Sequence, residues 1–391
     1  MSKVKVDSIE AVNASTPAIT LNSTDGTCTA NITNNLSNRN LIINGAMQVA
    51  QRGTSTTSDG YKFLDRWQTS AGSIGGVTVT RSQQSLSSSD TPFQTGFRKY
   101  ARIALGAAGT MAAGSYVDFY HHIEAQNVAN SGWNYQSASS FITVSFWLRV
   151  STNQTFYLLL RSRDGTNQAY VIPITASGDN VWTKITKTVP GNSNIVINDD
   201  NGTGFTVAFL IAYGTDSTDN SRAVNTWAAH SGSTLSPDMA STWLTAGAST
   251  FDVTGMQLEV GSVATDFEHK TLGQELKLCS RYYQQWAAIT SGSSNDNAVA
   301  VMANFSSTAA YGRIPFINGP MRTGPSITQS NNSYFTNGAS YSGLTYTVSG
   351  ASPTSLEVSV TASSGNWTGG DAGWLRTQTG SGGQFALNAE L

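Results

Sequence analysis

Apolar and polar positions alternate along most of this chain, and the period is two. Phe141 to Val150 puts Ile142, Val144, Phe146, Leu148 and Val150 on one face, with Thr143, Ser145, Arg149 and two aromatics on the other. Phe205 to Tyr213 alternates large and small side chains in the same way. Phe156 to Arg161, Val181 to Val189 and Phe251 to Val260 are further strands. Turn chemistry separates them: Asp164-Gly165, Ser177-Gly178-Asp179-Asn180 and Asp199-Asp200-Asn201-Gly202. About ten strands with regular turns over residues 41–270 predict a β-sandwich of the jelly-roll type.

The period changes once. In residues 271–286, Leu272, Leu276, Cys279, Tyr283 and Trp286 recur at helical spacing, with Thr271 placed to cap the start and Glu275 near the first turn. This predicts one linking helix whose apolar face packs beside symmetry mates or between two sandwiches. Residues 287–391 return to short strands, at Val299 to Asn304, Tyr311 to Ile317, Ser326 to Gln329, Tyr341 to Val348, Ser355 to Thr361 and Gly383 to Leu391. A segment of about 100 residues suits a second, smaller β-sandwich.

Residues 1–40 carry only isolated apolar beats at Val4, Val6, Ile9, Ile19, Leu21, Cys28, Ala30 and Ile32, parted by polar residues. They are too few to form a core. The expectation is an extended arm whose strands pair with other chains, since unpaired edges seek partners.

Composition supports an all-β chain. Only 12% of the 391 residues are charged, while 10% are aromatic, and a surface of Thr, Ser, Asn and Gly suits strands and turns better than long helices. The net charge is -2, with 22 Lys+Arg against 24 Asp+Glu. That balance predicts no capture of nucleic acid or of an acidic membrane surface. No apolar run reaches the roughly 18 residues of a membrane span, and Met1 to Asp7 lacks a signal-peptide hydrophobic region. The chain is therefore expected to be made in a cytoplasm.

Catalytic chemistry is not apparent. No G-x-S-x-G or H-E-x-x-H occurs, and no glycine-rich phosphate loop opens a helix. His121 and His122, adjacent on a strand, point to opposite faces and cannot share a metal. Asp199-Asp200 and Asp216/Asp219 read as turn carboxylates. The informative side chains are aromatic, because sugars stack their apolar C–H faces on exposed rings. Tyr334, Phe335, Tyr341, Trp367 and Trp374 cluster in the last domain, two of them in the loop Gly365 to Trp374. They are the candidate receptor or glycan residues. Trp67, Trp147 and Trp182 lie in strand-like runs and read as core.

Several motifs resemble tailed-phage tail fibre and receptor-binding proteins. Asn40-Leu41-Ile42-Ile43-Asn44-Gly45-Ala46-Met47-Gln48-Val49-Ala50-Gln51-Arg52-Gly53 looks like the opening of their β-sandwich, and Asp65-Arg66-Trp67 follows at a similar interval. Ile123-Glu124, Val144 to Arg149, Gly255 to Gly261 and Ala264 to His269 are similar too. Glu275-Leu276-Lys277-Leu278-Cys279-Ser280-Arg281-Tyr282-Tyr283 is the most characteristic block, followed by Pro320 to Pro325 and the ending Leu387-Asn388-Ala389-Glu390-Leu391. The resemblance implies a homotrimeric fibre on a virion, with a jelly roll similar to carbohydrate-binding modules and the carboxyl end outward. It supplies no catalytic motif. Relatives of the jelly roll hold a structural Ca²⁺ near the first and last strands, but Gln48 stands where a carboxylate would be favoured, so neither cofactor nor metal is expected.

The expected function is that of a non-enzymatic structural virion protein, assembled in the host cytoplasm. Its arm, through Val4, Val6, Ile9, Ile19 and Leu21, docks on the phage tail or an adapter protein. The residue 287–391 tip binds a host surface glycan or protein. The alternatives are a capsid- or neck-bound decoration protein and a polysaccharide depolymerase.

Overall fold

The computed structural model describes residues 6–10, 12, 18–21, 23–24, 28–30, 38–287, 297–330, 332–352, 354–377 and 383–391. The architecture is all-β. In the arm, β1 (Ser8–Ile9), β2 (Ile19–Leu21) and β3 (Cys28–Ala30) form their own antiparallel sheet, with Ile9 opposite Ile19 and Ile19 opposite Ala30. Within the chain, the sequential beats of the arm thus pair with one another. Among the described residues nothing pairs with the outer edges of β1 and β3. Val6 and Ile9 are exposed and Ile19 and Leu21 half-buried, while Val4 lies outside the described residues.

The large sandwich contains β4 (Ser55–Thr56), β5 (Trp67–Gly72), β6 (Val79–Ser85), α1 (Thr91–Gln94), β7 (Lys99–Leu105), β8 (Tyr116–Glu124), α2 (Ala125–Ala129), β9 (Phe141–Val150), β10 (Gln154–Ser162), β11 (Gln168–Ala176), β12 (Thr183–Pro190), β13 (Thr203–Tyr213), β14 (Trp227–Ala229), α3 (Thr242–Thr245) and β15 (Thr250–Val260). They build two six-stranded sheets, β14-β11-β10-β13-β8-β5 and β12-β9-β15-β7-β6-β4. Alternation explains the core. The apolar face of β9 turns inward whole, and so do Phe205, Val207, Phe209 and Ile211 of β13. Rings lock the layers together, Phe209 standing edge-on to Phe146 (5.0 Å) and Phe251 (5.5 Å) of the other sheet, while Trp67 stacks on Phe119 of its own sheet at 4.5 Å.

The helix α4 (Leu272–Ser280) is shorter than the expected 271–286. Thr271 does cap it, in a capping box with Gln274. Glu275 instead points inward and accepts from the backbone N–H of Asn44. The chain then leaves the helix at Arg281 and runs as β16 (Tyr283–Ala287), so Tyr283 and Trp286 are strand residues. The competing force is cross-strand packing: Trp286 lies opposite Phe385, ring centroids 5.9 Å apart. Leu272 is 59% exposed and Leu276 half-buried. The buried helix residues are Glu275, Cys279 and Ser280, not an apolar stripe.

The second sandwich adds β17 (Asn297–Asn304), β18 (Ala309–Pro315), β19 (Ser326–Ser330), β20 (Asn332–Thr336), β21 (Ala339–Tyr341), β22 (Thr345–Ala351), β23 (Ser355–Thr361), β24 (Ala372–Thr377) and β25 (Gln384–Asn388). A three-stranded sheet, β16-β25-β19, covers a seven-stranded one, β21-β20-β24-β17-β18-β23-β22. Its core is separate from the first and includes Met302, Leu356, Val358, Val360, Leu375, Phe385 and Leu387.

Candidate functional site

The five aromatics expected to bind a receptor divide between the two faces of one sheet. Tyr334 and Trp367 point into the second core, their rings 4.6 Å apart, with Tyr341 packed against Trp367 at 5.7 Å. The Tyr334 hydroxyl donates to Asn304 Oδ1 at 2.6 Å, and Trp367 is 4% exposed. The loop folds this indole inward because a small sandwich has too little aliphatic volume to fill itself. Tyr334 and Trp367 are therefore corrected to core, and Tyr341 to its half-buried margin. Phe335 and Trp374 are register partners on the outer face, where the Arg376 guanidinium lies 4.3 Å from one ring centre and 4.6 Å from the other. Val301 follows opposite Trp374, and Tyr311 packs on Phe305 at 4.8 Å. Trp374 is 48% and Val301 63% exposed, so this is an open apolar sheet face.

Several of the motifs that carry the resemblance meet at the junction of the two sandwiches. Asn44 donates its side-chain amide to the carbonyls of Val49 (2.8 Å) and Asp65 (2.9 Å). Arg52 pairs with Glu390 at 3.1 Å and lies over the Tyr283 ring at 3.7 Å. Buried Arg66 also pairs with Glu390, donates to the His122 carbonyl at 2.6 Å and covers the Tyr282 ring at 3.5 Å. Arg281 grips Glu124 through two hydrogen bonds of 2.7 and 2.8 Å. Arg322 holds the carbonyls of Ala389 and Glu390. Burial pushes the Asp65 carboxyl up to about 6, against the pull of Arg52. The carboxylates of Asp65, Glu124 and Glu390 are buried and paired with arginine, so the cluster locks the sandwiches together.

The groove suited to a ligand lies on the outer face of the second large sheet. Trp147 reaches it by alternation from β9, on the polar parity of Ser145 and Arg149. It is half-buried there and not in the core, where the sequence reading placed it. Lys184 stands opposite Trp147 in register on β12. One wall is an aromatic triad: Phe97 lies 4.8 Å from Phe267 and 4.9 Å from His269. His269 Nε2 contacts the Thr95 carbonyl at 3.0 Å. Gly255 sits at the β15 bulge with φ +63°, and a Cβ there would meet the Phe97 ring at 2.7 Å, so glycine lets the wall close. Ser145, Lys184, Asp266 and His269 line the remaining edge of this cleft of about 380 Å³. Trp182 is likewise outside the main core, donating to Asp90 at 3.1 Å beside Arg149. Between them Arg102 and Arg149 satisfy fully buried Asp252, which stiffens the floor. The missed signal was parity: Trp147 shares its face with Thr143, Ser145 and Arg149.

The groove offers one indole platform and a few convergent polar groups, in the size range of small-ligand clefts. Its lining includes one carboxylate, Asp266, where glycoside cleavage ordinarily uses a pair. Among the described residues no three His, Cys, Asp or Glu side chains gather as a metal site. His121 and His122 do diverge, His121 to the Ile43 carbonyl and His122 to Thr206 Oγ1. Among the described residues no helix is long and apolar enough to cross a membrane.

No protein-family model matches this sequence, and no curated protein matches it. Among solved structures the chain is similar to the enzymatically active domain of tailspike protein 4 of bacteriophage CBA120, at 10% identity and TM-score 0.29, over 56% of this chain and 21% of that one. It thus spans about a fifth of the tailspike chain. It is also similar to a family 11 carbohydrate-binding module of a cellulosomal cellulase of Clostridium thermocellum (12% identity, TM-score 0.26, 55% of this chain, 98% of that one). A third is the CBM22-1 xylan-binding domain from Paenibacillus barcinonensis (10%, TM-score 0.25, 54% and 94%).

Proposed function

We propose that this chain is a non-catalytic, glycan-adsorbing appendage of a phage virion, a homotrimeric tail fibre attached through residues 1–40. The observation that carries the glycan part is the Trp147 groove: a half-buried indole at the floor, an aromatic wall, and Ser145, Lys184, Asp266 and His269 placed for hydroxyls. The virion part is supported by the ordered motif series, several members of which meet at one junction. The open edges of β1 and β3 suit strand addition to a tail or adapter protein. The exposed face with Val301, Tyr311 and Trp374 is where copies meet, since patches of that kind mark interaction surfaces. Three copies per fibre and several fibres per particle convert weak single-site affinity into firm attachment.

Titration of the full chain with neutral oligosaccharides tests this reading. At least one class binds, and Trp147→Ala weakens it by roughly tenfold or more, the scale of a lost ring contact. Equal affinity in wild type and variant contradicts the assignment of the groove. Release of reducing sugar from host polysaccharide contradicts the non-catalytic part.

A further inference from the structure

The opposite face of the large sandwich holds a concentration of positive charge that the groove does not use. Arg161 on β10 lies opposite Thr206, which lies opposite His122 on β8, so one row crosses three strands on the outer face. Arg163 follows two positions on. His230 is fastened beside the row by its backbone N–H to the Asn167 carbonyl at 2.8 Å. Buried Arg222 backs it, both terminal nitrogens committed to the carbonyls of Ala229 and Ala169. Tyr120 packs edge-on to His122 at 5.0 Å, which puts an aromatic ring beside the charges.

Among the described residues the arginines of this face have no counter-charge. Arg52, Arg66, Arg81, Arg102, Arg149, Arg281 and Arg313 each pair with a carboxylate, but among the described residues none pairs with Arg161, Arg163 or Arg222. Arg161 has the side-chain oxygen of Asn167. Among the described residues the Arg163 guanidinium has no carboxylate, carbonyl or ring. The nearby Asp164 carboxylate is turned to Asn198. His230 Nε2 and Arg222 Nε are buried without a hydrogen-bond partner. Burial, and then the charge of Arg163, pushes Arg161 down to about 10. A bound anion relieves both the poor solvation of Arg161 and its repulsion from Arg163.

We infer that this face is a second binding site, in which Arg161 and Arg163 take the oxyanion of an acidic saccharide and Tyr120 takes its ring. Planar guanidinium groups suit a uronate carboxylate or a sugar phosphate alike. The site lies across the sandwich from Trp147, and its failure would leave the groove assignment standing.

The test titrates the full chain with oligogalacturonate, mannose 6-phosphate, a neutral galacto-oligosaccharide and inorganic phosphate. Oligogalacturonate binding identifies a carboxylate ligand and mannose 6-phosphate binding a phosphate ligand. Arg163→Gln and Arg161→Gln should each weaken the acidic sugar that binds by about tenfold or more, with affinity falling as salt rises, while Trp147→Ala leaves it unchanged. Arg163 is a half-exposed end-of-strand residue, and circular dichroism checks that the fold persists. Unchanged affinity in both arginine variants overturns the inference. So does an equal loss for the neutral sugar, or inorganic phosphate binding as tightly as either acidic sugar.

Discussion

His121, His122 and His230 sit where a charged imidazole is poorly solvated. Burial first, and then neighbouring arginines, hold His121 well below its usual range, His122 down to about 3 and His230 down to about 4. In the unfolded chain each takes a proton below about 6.5, so the unfolded state binds more protons and stability falls as pH drops through that value. Each such group costs about 1.4 kcal/mol per pH unit until its folded value is reached. Asp65 works the other way: with its folded value raised to about 6, it takes up a proton in the folded state first and adds stability between about 6 and its ordinary range. Burial raises Asp118 and Glu275 in the same sense, so the histidines dominate where titration begins, just below about pH 6.5, and a thermal-unfolding series there should show a falling midpoint. His122→Gln, which keeps a partner for Thr206, should flatten the slope; an unchanged slope refutes the account. Tyr334→Phe removes the donor to buried Asn304 and should cost about 1–2 kcal/mol by denaturant unfolding. No measurable change would mean that this hydroxyl does not hold the second core.

At the scale of elements, period-two alternation was sufficient to find β9, β10, β13, β15 and β23, because a strand buried on one face cannot slip by one residue without inverting it. The helix was legible only in part. A spacing that continues through Tyr283 and Trp286 reads as helix until Phe385, a hundred residues on, supplies the strand partner. Tyr334 and Trp367 look like binding residues for the same reason, since only a distant core decides which way a ring turns. The junction could be seen as a set of motifs but not as a place. Glu390→Gln tests it: it leaves buried Arg66 without its counter-charge, and unfolding should be easier by about 3 kcal/mol. A wild-type midpoint would show that the lock contributes nothing.

For the whole molecule, buried ion pairs hold the two sandwiches together, and the second leaves an apolar sheet face exposed. Val301→Asp places a charge on the exposed distal face without touching the core, and sedimentation should shift from trimer toward monomer while the circular dichroism spectrum persists. A wild-type trimer in that variant would move the subunit seam elsewhere. Removing residues 1–37 should preserve folding and sugar binding but abolish incorporation into particles. Undiminished incorporation would contradict the arm assignment.

The central claim, that a glycan lies on Trp147, is tested most directly by following the indole N–H resonances in a nitrogen-labelled sample during titration with a neutral oligosaccharide. The Trp147 resonance should move, and those of buried Trp67 and Trp243 should not. Movement confined to Trp374, or none at any indole, would contradict it.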